Sequence, residues 1–358
     1  MSSNKPVGVL IALLLAFLSC IGVPAVRAER LEPMKPVPIP ESNPQTQEKI
    51  ELGKKLFFDR RLSGDGTMTC AVCHIPDQAF ADGQSISLSY PTTKSWRNTP
   101  TVVNAGFFQF LFHDGRAKSL EDQAILPVTS SFEMNLNLDY LEEKLSIVPE
   151  YVQAFANVFN GEITKERIGM ALAAYERTLI TKNPPLDRYL RGDERALSDR
   201  AKKGMELFTG KGTCIKCHHG PALTDNKFHA LHVPDNPEIE QDPRMLASLR
   251  YVAKVSGIPD YRNLNEDLGR YLVTRDERDR KAFRTHILWD VARTAPYMHN
   301  GYFKTLEEVI DFIDQGGGKG NKELKPLGLS LEEKGYLKAF LTEALTGEEI
   351  TVKYPQIP

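Results

Sequence analysis

Two pentapeptides of the form C-x-x-C-H offer the plainest chemistry: Cys70-Ala71-Val72-Cys73-His74 and Cys214-Ile215-Lys216-Cys217-His218. Two thiols spaced this way and followed at once by an imidazole form the attachment pattern of c-type haem. The thiols add across the porphyrin vinyl groups, and the adjacent histidine binds the iron from one face. A lone C-x-x-C would suit a redox pair or half of a zinc site. The histidine in fifth position, present twice, disfavours both readings. The chain has five cysteines, and the two motifs use four of them.

The segments that must position these motifs resemble each other. Gly53-Lys54-Lys55-Leu56-Phe57 precedes the first motif and Gly204-Met205-Glu206-Leu207-Phe208 the second. In each, an amphipathic helix with Leu-Phe on one face is expected to run into a Gly-rich loop, Ser63–Gly66 or Gly210–Gly212, that enters the motif. That order of helix, loop and attachment site resembles the opening of a cytochrome c fold. The motifs start 144 residues apart, at Cys70 and Cys214, which sets the domain size. Apolar spacing predicts helices over Leu138–Leu145, Pro149–Asn160, Thr164–Ile180 and Ser330–Leu345, and Ser198 should cap the helix before the second motif. Strand alternation is scarce. The expected fold is mainly α, with two cytochrome c-like haem domains packed against each other. They would span residues 46–184 and 185–358, meet at Asn183-Pro184-Pro185, and follow a proline-rich extended arm at 29–45.

The remaining cysteine, Cys20, lies in the apolar run Val7–Val23. That run follows Lys5 and ends before Val26-Arg27-Ala28, a small-x-small cleavage pattern. Residues 1–28 therefore read as a signal peptide, and the haem-bearing part as periplasmic. Acylation at Cys20 and an uncleaved anchor are the alternatives, and membrane attachment is expected only if the signal stays on. Loss of residues 1–28 removes Lys5 and Arg27 and no acid, taking the formal charge from −2 to −4. A mildly acidic chain carries no electrostatic footprint for nucleic acid.

Between the motifs lie Trp96-Arg97-Asn98-Thr99-Pro100, Phe112-His113-Asp114-Gly115-Arg116, Leu120-Glu121-Asp122-Gln123-Ala124 and Phe132-Glu133-Met134. Beyond the second stand Arg293-Thr294-Ala295-Pro296-Tyr297-Met298-His299-Asn300-Gly301 and Thr305-Leu306-Glu307-Glu308-Val309. In these segments, and from about Lys49 to Leu345, the sequence closely resembles the bacterial dihaem cytochrome c peroxidase/MauG family. The resemblance implies that the N-terminal haem reacts with hydrogen peroxide, that the C-terminal haem relays electrons, and that a calcium ion sits between the domains. It makes Glu133 the distal carboxylate over the first haem, with Gln123 beside it, and puts Asn98, Thr294 and Pro296 at the calcium positions. A carboxyl sheltered by Phe132 and Met134 suits the acid–base role that peroxide cleavage needs. An isolated glutamate would otherwise read as a surface charge, and Asn98 as a turn residue.

Three positions depart from the family pattern. No histidine occurs between Ile75 and Phe112, where gated members carry one that blocks the distal side; the nearest matching position is about Tyr90. The first haem is therefore expected to be open. His113 replaces the tryptophan that precedes Asp-Gly-Arg, either altering transfer between the haems or hydrogen-bonding a propionate. Nineteen residues after Thr294, where a Met or Tyr would ligate the second haem, stands Ile313. Met298, His232, His286 and His299 are the possible substitutes, and a vacant position is the other outcome.

The leading expectation is a periplasmic peroxide-dependent oxidoreductase served by a small c-type cytochrome or cupredoxin. MauG-like oxidation of tryptophan or tyrosine side chains on a partner protein is the first alternative. A non-catalytic dihaem electron carrier is the second.

Overall fold

The structure is a computed structural model that describes residues 29–358, so the leader and Cys20 lie outside the described residues. The mainly helical expectation holds: the only strands among the described residues are two of two residues each.

The first half opens with α1 (Gln47–Phe57), capped by the Thr46 hydroxyl accepting from Lys49 N. A single helical turn, α2 (Cys70–Cys73), carries the first thiol pair. Then follow α3 (Leu120–Thr129), α4 (Leu138–Ser146), α5 (Pro149–Phe159) and α6 (Lys165–Glu176). The helix predicted to reach Ile180 stops at Glu176, where the Thr178 hydroxyl donates back to the Tyr175 carbonyl. The second half holds α7 (Pro185–Leu190), α8 (Asp199–Thr209), α9 (Pro237–Gln241), α10 (Pro243–Val255), α11 (Tyr271–Thr274), α12 (Leu306–Asp314) and α13 (Leu331–Ala339). Ser198 caps α8 as expected, its hydroxyl accepting from Ala201 N. A short antiparallel pairing joins β1 (Phe228–His229) to β2 (Phe283–Arg284), Phe228 opposite Arg284. No helix among the described residues is long and apolar enough to cross a membrane.

The repeated Gly-x-x-Leu-Phe segments have a packing reason. A Cβ at Gly53 on α1 would sit 1.8 Å from the Ala171 carbonyl oxygen on α6. A Cβ at Gly204 on α8 would sit 2.0 Å from the Tyr336 carbonyl oxygen on α13. In each half the glycine lets two helix backbones touch, and the Leu-Phe pair then falls into or beside the core. Leu56 and Phe57 are fully buried in the first core, and Phe208 is buried in the second. Burying such side chains contributes about 1.5–3 kcal/mol each. Cys70 and Cys73 pack at the edge of the first core and Cys214 at the edge of the second, so each attachment site rests on its own apolar body.

Both ends of the described chain tie the halves together. The arm at 29–45 is extended but fastened: Leu31 and Met34 pack on the second core, and Met34 N donates to Asp187 at 2.7 Å. Further along, Asn43 is fully buried and its amide donates to Glu121 and to the Met170 carbonyl of the first half. At the other end Ile350 and Val352 return to the first core, and Tyr354 packs edge-on against Phe58.

Candidate functional site

The two attachment sites are built alike from local backbone. In each, the histidine N–H closes a turn onto the first cysteine carbonyl, at 2.9 Å for both His74 to Cys70 and His218 to Cys214. His74 Nδ1 lies 3.1 Å from the Phe80 carbonyl oxygen, and His218 Nδ1 lies 3.0 Å from that of Leu223. A carbonyl only accepts, so Nδ1 carries the proton and Nε2 keeps its lone pair, as an iron ligand must. The accepting residues share a left-handed backbone, with φ of 57° at Phe80 and 51° at Leu223, a conformation bulky side chains rarely adopt. Both halves hold that strain at the same place, the carbonyl that orients the histidine.

All four cysteines are free, and burial pushes the Cys73 and Cys214 thiols up to about 12. Among the described residues, the one cluster of three ligand-type side chains is Cys217, Asp225 and His229. His229 is already committed there, with Nε2 2.9 Å from Asp225 and Nδ1 bonded to Glu323.

Around the first site the charged groups are carboxylates. Glu133 stands in the turn after α3, half-buried, with its N–H on the Ser130 carbonyl. After burial, the charges of Asp82 and then Glu133 raise the Cys73 thiol, so the Glu133 carboxylate lies in the field of the first attachment site. Met134 beside it is buried, and its N–H donates to the Pro127 carbonyl, which folds this turn back onto α3, the helix that bears Gln123. Tyr90 pairs its N–H with the Phe132 carbonyl at 3.0 Å, and its hydroxyl faces Asp65. A buried acid not singled out from the sequence, Glu176 on α6, has an unpartnered Oε2, and burial pushes its carboxyl up to about 8.

Between the halves runs a buried polar layer. Arg97 bonds Asp114 at 2.6 Å and Asp267 at 2.6 and 2.8 Å, and Trp96 Nε1 donates to Asp267 at 2.9 Å. Burial alone would raise the Asp267 carboxyl, but Arg97 beside it holds it well below the usual range. His113 is buried and uses both ring nitrogens on the chain itself: Nε2 meets the Asn98 carbonyl at 2.9 Å, and Nδ1 lies 3.1 Å from His286 Nε2. The carbonyl fixes the tautomers: His113 donates from Nε2, and His286 donates from Nε2 to His113 Nδ1. Burial, then the Arg97 charge, pushes His113 down to about 4. His286 falls well below its ordinary value for the same first reason, burial.

The second site opens on a cavity of about 310 Å³ whose wall includes Cys214, Cys217 and His218. Ile313 lies in that wall, and so do all four candidate ligands, Met298, His232, His286 and His299. Two are otherwise engaged. His299 stacks on Phe283 with ring centroids 3.6 Å apart, and His286 donates to His113. Asn98, Thr294 and Pro296 share the same wall. The Asn98 amide donates to the Gln84 carbonyl at 2.7 Å, and the Thr294 hydroxyl donates to the Val291 carbonyl at 3.1 Å. These residues present neutral oxygens, a donor type calcium accepts.

Two imidazoles oriented through Nδ1, four cysteines without disulfides in one-turn attachment sites and a largely apolar cavity beside the second site fit two c-type haems. The comparisons with known proteins agree. A family profile described as di-haem cytochrome c peroxidase matches residues 47–195. The cytochrome-c peroxidase IdrP1 of Pseudomonas sp. strain SCT is 41% identical, covering 100% of this chain and 97% of its own. The methylamine utilization protein MauG of Methylorubrum extorquens is 36% identical, covering 90% of this chain and 85% of its own. Among solved structures, a MauG-like protein associated with microbial copper homeostasis superposes with a TM-score of 0.73 at 28% identity, over 90% of this chain and 95% of that one.

Proposed function

The chain belongs to the di-haem cytochrome c peroxidase family and is a peroxidase-type oxidoreductase, and on that premise we propose that its N-terminal haem site receives hydrogen peroxide while its C-terminal site passes electrons. The carboxylate of Glu133, half-buried within the field of the first attachment site, is the observation that carries this reading. When bound, haem would supply iron to hold the peroxide and would store the oxidising equivalents that the peroxide delivers. Glu133 handles the proton: it accepts one from the near oxygen of the peroxide and returns it to the oxygen that leaves as water. Gln123, on the helix against which the Glu133 turn folds, offers an amide to hold the leaving oxygen. The Phe80 carbonyl, by accepting from His74 Nδ1, makes Nε2 a stronger donor toward iron. Asn98, Thr294 and Pro296 are the proposed calcium donors, and an ion there would brace the segment from which His113 takes its hydrogen bond.

The reductant in this reading is a small c-type cytochrome or cupredoxin in the periplasm. A second reading, oxidation of tryptophan or tyrosine side chains on a partner protein, is favoured by Tyr90. This residue stands where a blocking histidine would, and its hydroxyl turns to Asp65. One experiment tests both parts: one equivalent of hydrogen peroxide added to the all-ferric protein without donor, followed by electron paramagnetic resonance. Prompt loss of the ferric signals supports an open first site, and long persistence of the new state favours a protein substrate. Reaction only after one haem is reduced would reject the open site in favour of a gated peroxidase.

A further inference from the structure

Arg284 is a buried cation without a counter-charge. It sits on β2, 5% exposed, with its N–H on the His113 carbonyl at 2.8 Å. Its Nε donates to the Phe112 carbonyl at 3.1 Å, and its guanidinium carbon lies 3.3 Å from the centroid of the Phe108 ring. Nη1 is buried and has no hydrogen-bond partner. No carboxylate among the described residues lies within ion-pair distance. The acid whose field it feels is Asp114, already shared by Arg97 and Arg116. A lone buried charge is expensive unless something pairs with it.

Its place indicates the partner. Arg284 lines the cavity that also bears Cys214, Cys217 and His218. That wall contains one other Lys or Arg, Lys281, whose ammonium is bound by Glu266 at 2.6 Å, and it contains no Asp or Glu. A haem attached at the second site brings two propionates into a wall with no competing carboxylate and one unpaired guanidinium. The fork of Arg suits a carboxylate better than a point charge would.

We infer that Arg284 is the anchor for a propionate of the second haem and that its charge keeps that haem's reduction potential up; this rests on the reading that the second C-x-x-C-H carries haem. A propionate left uncompensated stabilises the ferric state, so the arginine sets how readily the second haem accepts an electron.

The test uses the loaded protein, with haem counted by pyridine haemochrome and each haem titrated potentiometrically from pH 6 to 9. One haem per chain in the parent protein would sink the dihaem reading itself. With two, the parent should show a second-haem midpoint nearly flat across that range, because the paired propionate stays ionised. A slope with a propionate-type inflection in that range would overturn the inference, and this arm needs no variant. Arg284→Gln should lower the second-haem midpoint, leave the first unchanged and introduce that inflection, and Arg284→Lys should recover most of the drop. An unchanged second midpoint in Arg284→Gln with both haems present, or a shift confined to the first haem, would also overturn it.

Discussion

The two halves use the same local device to hold a haem and differ in the side chains beyond it. Both close a one-turn attachment site on the histidine N–H, and both aim the histidine with a carbonyl from a left-handed residue. Around the first site lie carboxyl groups: Asp82 and Glu133 in the field of Cys73, and Glu176 in that of Cys70. The wall of the second bears imidazoles, the Arg284 guanidinium, the Lys281 ammonium and apolar side chains, and the one carboxylate beside its thiols, Asp225, is bound by His229. In the proposed reading, the carboxyls of the first site exchange protons with peroxide, whereas the cations near the second steady a charge state. On that reading, the shared scaffold leaves the division of labour to the side chains around each site.

The sharpest way to break that comparison is to remove the proton carrier from the acidic half. Glu133→Gln should lower kcat/KM for peroxide by about 10²–10⁴-fold while haem content stays at the parent level. Turnover within tenfold of the parent would take the proton-carrying role away from Glu133.

The buried acid of the same half makes a pH-dependent prediction. Burial raises the Glu176 carboxyl from its ordinary 4.5 to about 8. The native state thus binds more protons than the unfolded state between those values, and stability should fall as pH rises through that window. The loss amounts to several kcal/mol, at about 1.4 kcal/mol per unit. Glu176→Gln should flatten the profile, matching the parent near pH 4 and exceeding it above pH 8 in denaturant titrations. A parallel decline in the variant would place the pH dependence elsewhere.

The repeated glycines should fail in parallel. Gly53→Ala and Gly204→Ala each force two helix backbones apart, and each should destabilise by about 1–3 kcal/mol in thermal unfolding. Loss of the native haem spectrum in the affected half alone would mean that the halves unfold separately. Joint loss would mean that the fastened arm and C-terminal tail couple them.

The smallest change sharpens the comparison at the second iron. Ile313→Met supplies a thioether in the cavity wall, and ligation there should raise the second-haem midpoint and alter its ferric spectrum. An unchanged spectrum would mean that another side chain already holds the position, or that the introduced thioether points away from the iron.

Much of the attachment chemistry was legible in the chain because it is local. Cys70 to His74 and Cys214 to His218 are one-turn motifs, and Ser198 caps its helix within three residues. The resemblance of the Glu133 and Gln123 segments was readable for the same reason. The polar layer between the halves was not. Arg97 meets Asp267 across 170 residues, and His113 meets His286 across 173, with no short-range spacing to announce either pair.

By itself, then, the sequence pointed to the helical class and the two attachment motifs, since turns, caps and motif spacing act over a few residues, while Glu133 came only from the family resemblance. Only the tertiary structure decided that His113 pairs with His286, that burial lowers both rings, and that Arg284 faces the second cavity without a counter-ion. Those outcomes depend on burial and on which distant groups share it, and neither is encoded in the interval between neighbouring residues.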